Sequence, residues 1–297
     1  MSISTDLIVP EPGRARATAT GAVAILLWAS LALLTAAAGP VPPLELMALT
    51  FGIAFVAGTA LLAARGAGGL AALRQPLGAW ALSFCGLFFY HALYFLALQS
   101  APPAGASLVA YLWPLLIVLF SAGAGLRWPH LAGAALGLLG TVLLVRGGAV
   151  GAGPAPALGY AAALGCAFVW SGYSVLNRRF ARAGSAMMAG VCGLVSLAAL
   201  LAHFALEPPV WPAPAQWAAI LGLGLGPVGL AFYAWDHATK HGNVPVLGSL
   251  SYLAPLLSTV LLVAAGRAPA SPRLVASAGL IIGGAALATL AGRRGRD

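Results

Sequence analysis

Two short signals recur in this chain at nearly one spacing, and that repetition limits the available folds more than any single residue does. Gly86–Tyr90 reads Gly-Leu-Phe-Phe-Tyr, and Gly229–Tyr233 reads Gly-Leu-Ala-Phe-Tyr, 143 positions further on. Tyr-Leu-Trp-Pro-Leu-Leu at Tyr111–Leu116 returns as Tyr-Leu-Ala-Pro-Leu-Leu at Tyr252–Leu257, an offset of 141. Trp28 and Trp170, in the similar surroundings LLWASLALL and FVWSGYSVL, are 142 apart. Three matches at almost the same offset describe a tandem duplication in which a few loop residues were gained or lost.

Each copy must also satisfy an apolar solvent. The chain of 297 residues is 61% hydrophobic and 7% charged, with a mean hydropathy of +0.95, whereas soluble domains carry about 25% charged residues. The apolar residues come in runs of about 20, the length that crosses a hydrocarbon core of ~30 Å as a helix. Runs bounded by charges and Pro/Gly breaks predict ten spans, at 19–38, 44–64, 77–98, 103–124, 130–146, 158–177, 185–206, 215–236, 244–265 and 274–291. All are expected to be helices, because backbone groups in lipid must satisfy one another and nothing here alternates as barrel strands do. The predicted fold class is an all-α integral membrane protein with two inverted five-helix repeats. An odd number of spans in each copy turns one half upside down relative to the other, an architecture used by transporters.

The domain organisation follows: a tail at 1–18, a first repeat at 19–147, a linker at 148–157 rich in Gly, Ala and Pro, a second repeat at 158–292 and a tail at 293–297. Arg14 and Arg16 before the first apolar run, with Ala36–Ala38 after it, resemble a signal peptide. That run is too long for a signal h-region, and its Trp28 belongs to the repeat, so a retained helix is expected.

A formal net charge of +9 raises the question of nucleic acid. The cations instead lie singly or in small groups between spans, with no basic face and no interleaved stacking aromatics. With the N-terminus inside, twelve of the fifteen cations fall in cytoplasmic segments, and only Arg146, Arg267 and Arg273 fall outside. This positive-inside bias predicts cytoplasmic termini. The three cysteines, Cys85, Cys166 and Cys192, lie inside spans without ligand spacing and suggest neither disulfide nor metal. No cofactor is expected.

Charge is scarce where a substrate path would run. Of six acidic residues only Asp236 lies in a span, near the predicted cytoplasmic end, while Glu45 and Glu207 sit at outer span ends. A midplane carboxylate would suit a proton-coupled exporter of cations, and central Lys or Arg would suit a phosphorylated solute. Neither is present, which favours a neutral or zwitterionic substrate. Asp236 and Lys240, at i and i+4, read as an interfacial ion pair or as a gating pair. Asn177, just before Arg178 and Arg179, is expected at the interface.

Polar aromatics concentrate in the duplicated central spans. His91 stands between Tyr90 and Tyr94, and Tyr111, Trp113 and Tyr252 lie in the other motif-bearing spans. A mid-membrane histidine is a functional candidate, although one bonded only to a neighbour is the plain structural alternative. His91 is expected to donate to a substrate carboxylate or to titrate during transport. The candidate substrate-binding set is Trp28, Tyr90, His91, Tyr94, Tyr111, Trp113, Trp170, Ser251 and Tyr252, with Ser107 and Ser249 as further hydroxyls. Aromatic helix packing is the alternative for any one of them. Pro114 and Pro255 at matched places, with Pro227 after Gly224 and Gly226, are candidate kinks or gating points. Gly133-x-x-x-Gly137 and Gly279-x-x-x-Gly283 permit close helix approach, within the chain or in a dimer.

Ten spans in two halves, a Trp opening each half and a Pro in each fourth span resemble the EamA-type branch of the drug/metabolite transporter superfamily, over about 19–292. Within that branch, Tyr90-His91-x-x-Tyr94 with Tyr111-Leu112-Trp113-Pro114 looks most like the YddG-type aromatic amino-acid exporters of bacterial inner membranes. The resemblance implies a multi-pass inner-membrane exporter of amino acids, aromatic ones included, working by alternating access. With no intramembrane acid in a central position, facilitated export is expected rather than proton antiport. Export of another neutral metabolite or small drug is the first alternative. A membrane-embedded enzyme is disfavoured by the lack of paired carboxylates, ligand clusters or nucleophile–base arrangements, and a purely structural role does not account for the aromatic patch. The expected partners are a small-molecule substrate and the lipid bilayer, not nucleic acid, with a monomer favoured.

Overall fold

The computed structural model of the chain describes residues 12–101, 103–121, 127–145, 156–266 and 270–294, and among these it is all helical. In chain order the helices are α1 (Pro12–Ala29), α2 (Leu31–Ala38), α3 (Pro43–Ala64), α4 (Ala67–Ala71), α5 (Leu77–Ser100), α6 (Pro103–Ala110), α7 (Trp113–Phe120), α8 (Trp128–Val145), α9 (Pro156–Leu176), α10 (Met188–Leu206), α11 (Pro214–Leu225), α12 (Ala231–His241), α13 (Val244–Leu250), α14 (Leu253–Ala264) and α15 (Pro272–Arg294). Prolines open α3, α11 and α13 at the first or second helical position, where the missing N–H has no partner to lose. Gly39, at φ 71°, ends α2 in the left-handed region that glycine tolerates.

Seven helical stretches among the described residues are long and apolar enough to cross a membrane: Gly13–Ala38, Pro43–Ala64, Leu77–Ser100, Ala157–Phe180, Ser185–Leu206, Pro214–His241 and Val244–Ala264. Trp128–Leu143 and Pro272–Leu287 are shorter apolar helices. The apolar segment containing Tyr111 is divided into α6 and α7, eight residues each.

The sequence predicts continuous spans with kinks at Pro114 and Pro255. The observed breaks lie one turn earlier, at Tyr111–Leu112 and Ser251–Tyr252. A proline ring displaces the carbonyl four residues back, and these carbonyls belong to Ala110 and Ser251. The Ser251 carbonyl instead accepts from the Ala254 N–H at 3.1 Å, a tighter turn. The two breaks face each other: a Cβ on Gly248 would stand 2.9 Å from the Pro114 carbonyl oxygen. Pro227 behaves differently. It sits in a π-helical turn, Gly226–Leu230, joining α11 to α12, the kind of one-residue insertion that often marks functional helices. The matching stretch of α5 is regular.

The halves interlock rather than fold side by side. α3 packs on α10, α5 on α9, α1 on α12, α8 on α15 and α7 on α13, each pair joining one helix from each half. Two lobes result. α5, α6, α7 and α9 form one, and α1, α12, α13 and α14 form the other. The α8–α15 contact is close because Gly284 lies against the Gly133 carbonyl and Gly140 against Ile281. Gly279 and Gly283 meet nothing within 4 Å, so the second Gly-x-x-x-Gly faces outward and does not mediate this packing.

Candidate functional site

A cavity of about 190 Å³ lies between the two lobes. Its lining from one lobe includes Tyr90, His91 and Tyr94 of α5, Ser107 of α6, Tyr111 at the helix break, Trp113 of α7 and Trp170 of α9. From the other come Trp28 of α1, Leu31 and Ala32 of α2, Phe232 of α12, and Ala254 and Ser258 of α14. Seven residues singled out in the sequence, Trp28, Tyr90, His91, Tyr94, Tyr111, Trp113 and Trp170, are therefore brought around one space.

Its floor is a cage of indoles. Trp28 meets Trp235 at 5.1 Å and Trp170 at 5.7 Å, and Trp113 meets Trp235 edge-on at 6.0 Å. Such tilted and T-shaped pairs place the positive ring edge on a negative face. The Trp28 indole N–H donates to the Pro227 carbonyl at 3.0 Å, which ties the π turn to the cavity floor. The wall is polar at a few points. Tyr90 and Tyr94 stack at 6.1 Å, and the Tyr94 hydroxyl pairs with Ser107 Oγ at 3.2 Å, joining α5 to α6.

His91 is held by Nδ1, 2.7 Å from the Leu87 carbonyl. A carbonyl only accepts, so Nδ1 carries the proton, and in the neutral ring Nε2 is left with a lone pair. Phe51 and Phe232 clasp the imidazole edge-on at 5.3 and 5.9 Å and fix its plane. The neutral His91 thus offers an acceptor at Nε2.

Two residues of the candidate set lie elsewhere. Ser251 is fully buried and donates to the Leu247 carbonyl at 2.7 Å. Tyr252 is also fully buried, with its ring against Gly137 of α8. The helix break between them turns both away from the face that α14 presents through Ala254 and Ser258. In the other half, aligning Pro129 with Pro272 and Leu131 with Leu274 puts Leu280 opposite Gly137. A leucine offers no notch for a ring, and Tyr111 lines the cavity instead. Phe232 was not a sequence candidate. Its signal was available: Phe232, Asp236 and Lys240 share one face of α12, and a face carrying both charges belongs inside the bundle.

Beyond the indole floor lies a buried polar cluster. Asp236 and Lys240 pair at 2.8 Å with fully buried side chains, so they are not the interfacial pair expected. Asn177, 1% exposed, is likewise buried: Nδ2 donates to Asp236 Oδ1 at 3.0 Å and to Thr239 Oγ1 at 2.9 Å. A 3₁₀ turn at Asn177–Phe180 carries Arg178 and Arg179 onward and leaves the amide inside. Lys240 Nζ also donates to the Ala183 carbonyl at 3.0 Å, and the Trp235 N–H to Ser174 Oγ at 3.0 Å.

Interlocked apolar helices around an aromatic cavity, set between two lobes and backed by a buried polar cluster, define a membrane transporter of small solutes. The chain belongs to the EamA-like transporter family, whose pattern matches twice, at residues 16–146 and 157–290. It is 53% identical over 286 residues to the "Aromatic amino acid exporter YddG" of Ancylobacter novellus, covering 95% of this chain and 99% of that one. The Escherichia coli protein of the same name is 31% identical, over 63% of this chain and 67% of the relative. A crystal structure 52% identical in sequence superposes with a TM-score of 0.89, covering 95% of this chain and 99% of the other.

Proposed function

We propose that the protein exports amino acids, aromatic ones included, across a bacterial inner membrane by alternating access, down the substrate gradient. The carrying observation is the cavity itself: an aromatic box with one fixed acceptor, His91 Nε2, and tyrosine hydroxyls at the wall. A zwitterion with a ring fits that chemistry. The substrate ring lies among Trp28, Trp170 and Phe232, its ammonium donates to His91, and Tyr111 and Tyr90 donate to its carboxylate. The names of the relatives agree with this substrate class.

The architecture in this reading is ten spans, in inverted halves at 19–147 and 158–292, with both termini cytoplasmic. Leu31, Tyr94, Ser107 and Ser258 then sit toward the outer ends of their helices, and the cavity opens outward. Asp236 and Lys240 plug the cytoplasmic side. Pro114, Pro227 and Pro255 mark where helices bend as the lobes exchange contacts. Uptake of labelled tryptophan or phenylalanine by proteoliposomes tests the site: His91→Ala and Tyr111→Ala are each expected to impair it, and unchanged transport in both would sink the assignment. Competition by a panel of unlabelled neutral metabolites distinguishes amino-acid export from export of another small solute.

A further inference from the structure

The polar cluster beyond the floor joins the two lobes at one end of the cavity. Asp236, Thr239 and Lys240 ride on α12, whereas Asn177 and Ala183 follow α9 in the other lobe. Every strong contact across this seam uses a fixed partner: Asn177 Nδ2 to Asp236 Oδ1 and Thr239 Oγ1, Lys240 Nζ to the Ala183 carbonyl, and Trp235 Nε1 to Ser174 Oγ. The Asp236–Lys240 pair lies within α12. It neutralises the buried carboxylate, and Asn177 adds the side-chain bonds that reach Asp236 and Thr239 from the other lobe. Separating the lobes here breaks all these bonds together, since none can stretch by more than a few tenths of an ångström and persist.

The duplication shows what the opposite end holds. At the offset of the two tryptophans, Asn177 corresponds to Thr35, Ser174 to Ala32, and Tyr173, whose hydroxyl lies 3.5 Å from Asp236 Oδ1, to Leu31. At the offset of the Gly-Leu-x-Phe-Tyr signals, Trp235, Asp236, Thr239 and Lys240 correspond to Ala92, Leu93, Leu96 and Ala97. The mirror contact is therefore aliphatic, with Thr35 as its one hydroxyl. When the halves exchange roles, these matched positions offer no equivalent of the Asn177, Asp236 and Lys240 contacts.

We propose that Asn177, Asp236, Thr239 and Lys240 form a one-sided latch whose release opens the closed end of the cavity. Because the other end lacks an equivalent, the latch also biases the resting protein toward the conformation seen here. This inference rests on the alternating-access reading above. It assigns a conformational role to residues that touch no substrate in the cavity.

Two variants test it in the full-length protein reconstituted in liposomes. In Asn177→Cys/Thr239→Cys, linking the thiols by oxidation or a short bis-thiol reagent should stop tryptophan transport. Reductant should restore it, and radiolabelled tryptophan should still bind the linked form. The single-cysteine variants, treated alike, should keep transporting. In Asn177→Leu, which keeps the branched shape and the number of side-chain heavy atoms, the two cross-lobe hydrogen bonds of Asn177 are lost while the ion pair stays. Two lost bonds shift the balance of states by roughly tenfold. Thr239→Cys in that background should then react with a water-soluble maleimide about tenfold faster than with Asn177 in place. Linked protein that binds tryptophan and transports at the unlinked rate overturns the latch, as do equal maleimide rates. Failure to bind any amino acid in every arm counts instead against the substrate reading on which it rests.

Discussion

At His91 one hydrogen bond decides the chemistry. With Nδ1–H committed to the Leu87 carbonyl, Nε2 is the ring's free partner, and an ammonium group complements it. His91→Phe keeps a ring for Phe51 and Phe232 to clasp but removes the lone pair. A hydrogen bond to a charged group contributes about 1.5–3 kcal/mol, so KM for tryptophan should rise by roughly ten- to a hundredfold. kcat and thermal stability should change little. Concentration-dependent uptake in proteoliposomes measures both constants, and an unaltered KM would remove His91 from the binding set. The cavity residues legible in the sequence were those with two marks, a polar or indole ring and a place in a span that carries one of the repeated signals. Tyr252 carries both marks and still packs against α8, because Gly137 gives it a notch that Leu280 denies Tyr111. Phe232 went unseen because its ring is apolar, and its repeat counterpart Phe89 faces outward, 47% exposed. Asn177 was misplaced because the arginines that follow it announce an interface, and the turn that separates them leaves no sequence signal.

At the level of helices, the two Gly-x-x-x-Gly stretches look alike in sequence and differ in place. A Cβ on Gly137 would stand 2.8 and 3.0 Å from Cγ and Cβ of Tyr252 and closer still to Cδ2. Tyr252 is fully buried and has nowhere to move. Overpacking of this kind costs about 1–3 kcal/mol, so Gly137→Ala should lower the unfolding midpoint in detergent by several degrees. Gly279→Ala meets nothing within 4 Å and should leave it unchanged, and equal shifts for the two would contradict this packing. The π turn makes a second contrast. Pro227→Ala restores the N–H that a regular helix needs, so α11 and α12 should join more smoothly, with stability held or raised. Transport should fall, because the Pro227 carbonyl no longer stands where the Trp28 indole finds it; wild-type flux in Pro227→Ala would make the turn incidental. Paired prolines told where the helices bend, but only the backbone shows that one bend is a π turn and the other two are full breaks.

For the molecule as a whole, the driving force follows from what lines the path. Among the described residues no carboxylate borders the cavity, and the one acidic side chain near it, Asp236, is bound to Lys240 and Asn177 beyond the floor. A proton carrier must be reached from each side in turn, and Asp236 stands off the path, buried against Lys240 and Asn177. Flux should therefore track the amino-acid gradient alone. In counterflow, liposomes loaded with unlabelled tryptophan should accumulate the labelled form equally with and without an imposed pH difference. One pH unit supplies about 1.4 kcal/mol per proton, so one-for-one antiport would change the accumulation ratio by roughly tenfold. A change of that size would make the protein a proton antiporter. His91, the remaining titratable group at the cavity with a free nitrogen, would then be the first carrier to examine, and loss of the pH effect in His91→Phe would identify it. An absent effect, with transport intact, leaves the lobes driven only by substrate. In that case the imbalance between the polar seam at Asn177 and the aliphatic one at Leu93 sets the waiting state of the cycle and leaves the direction of flux to the gradient.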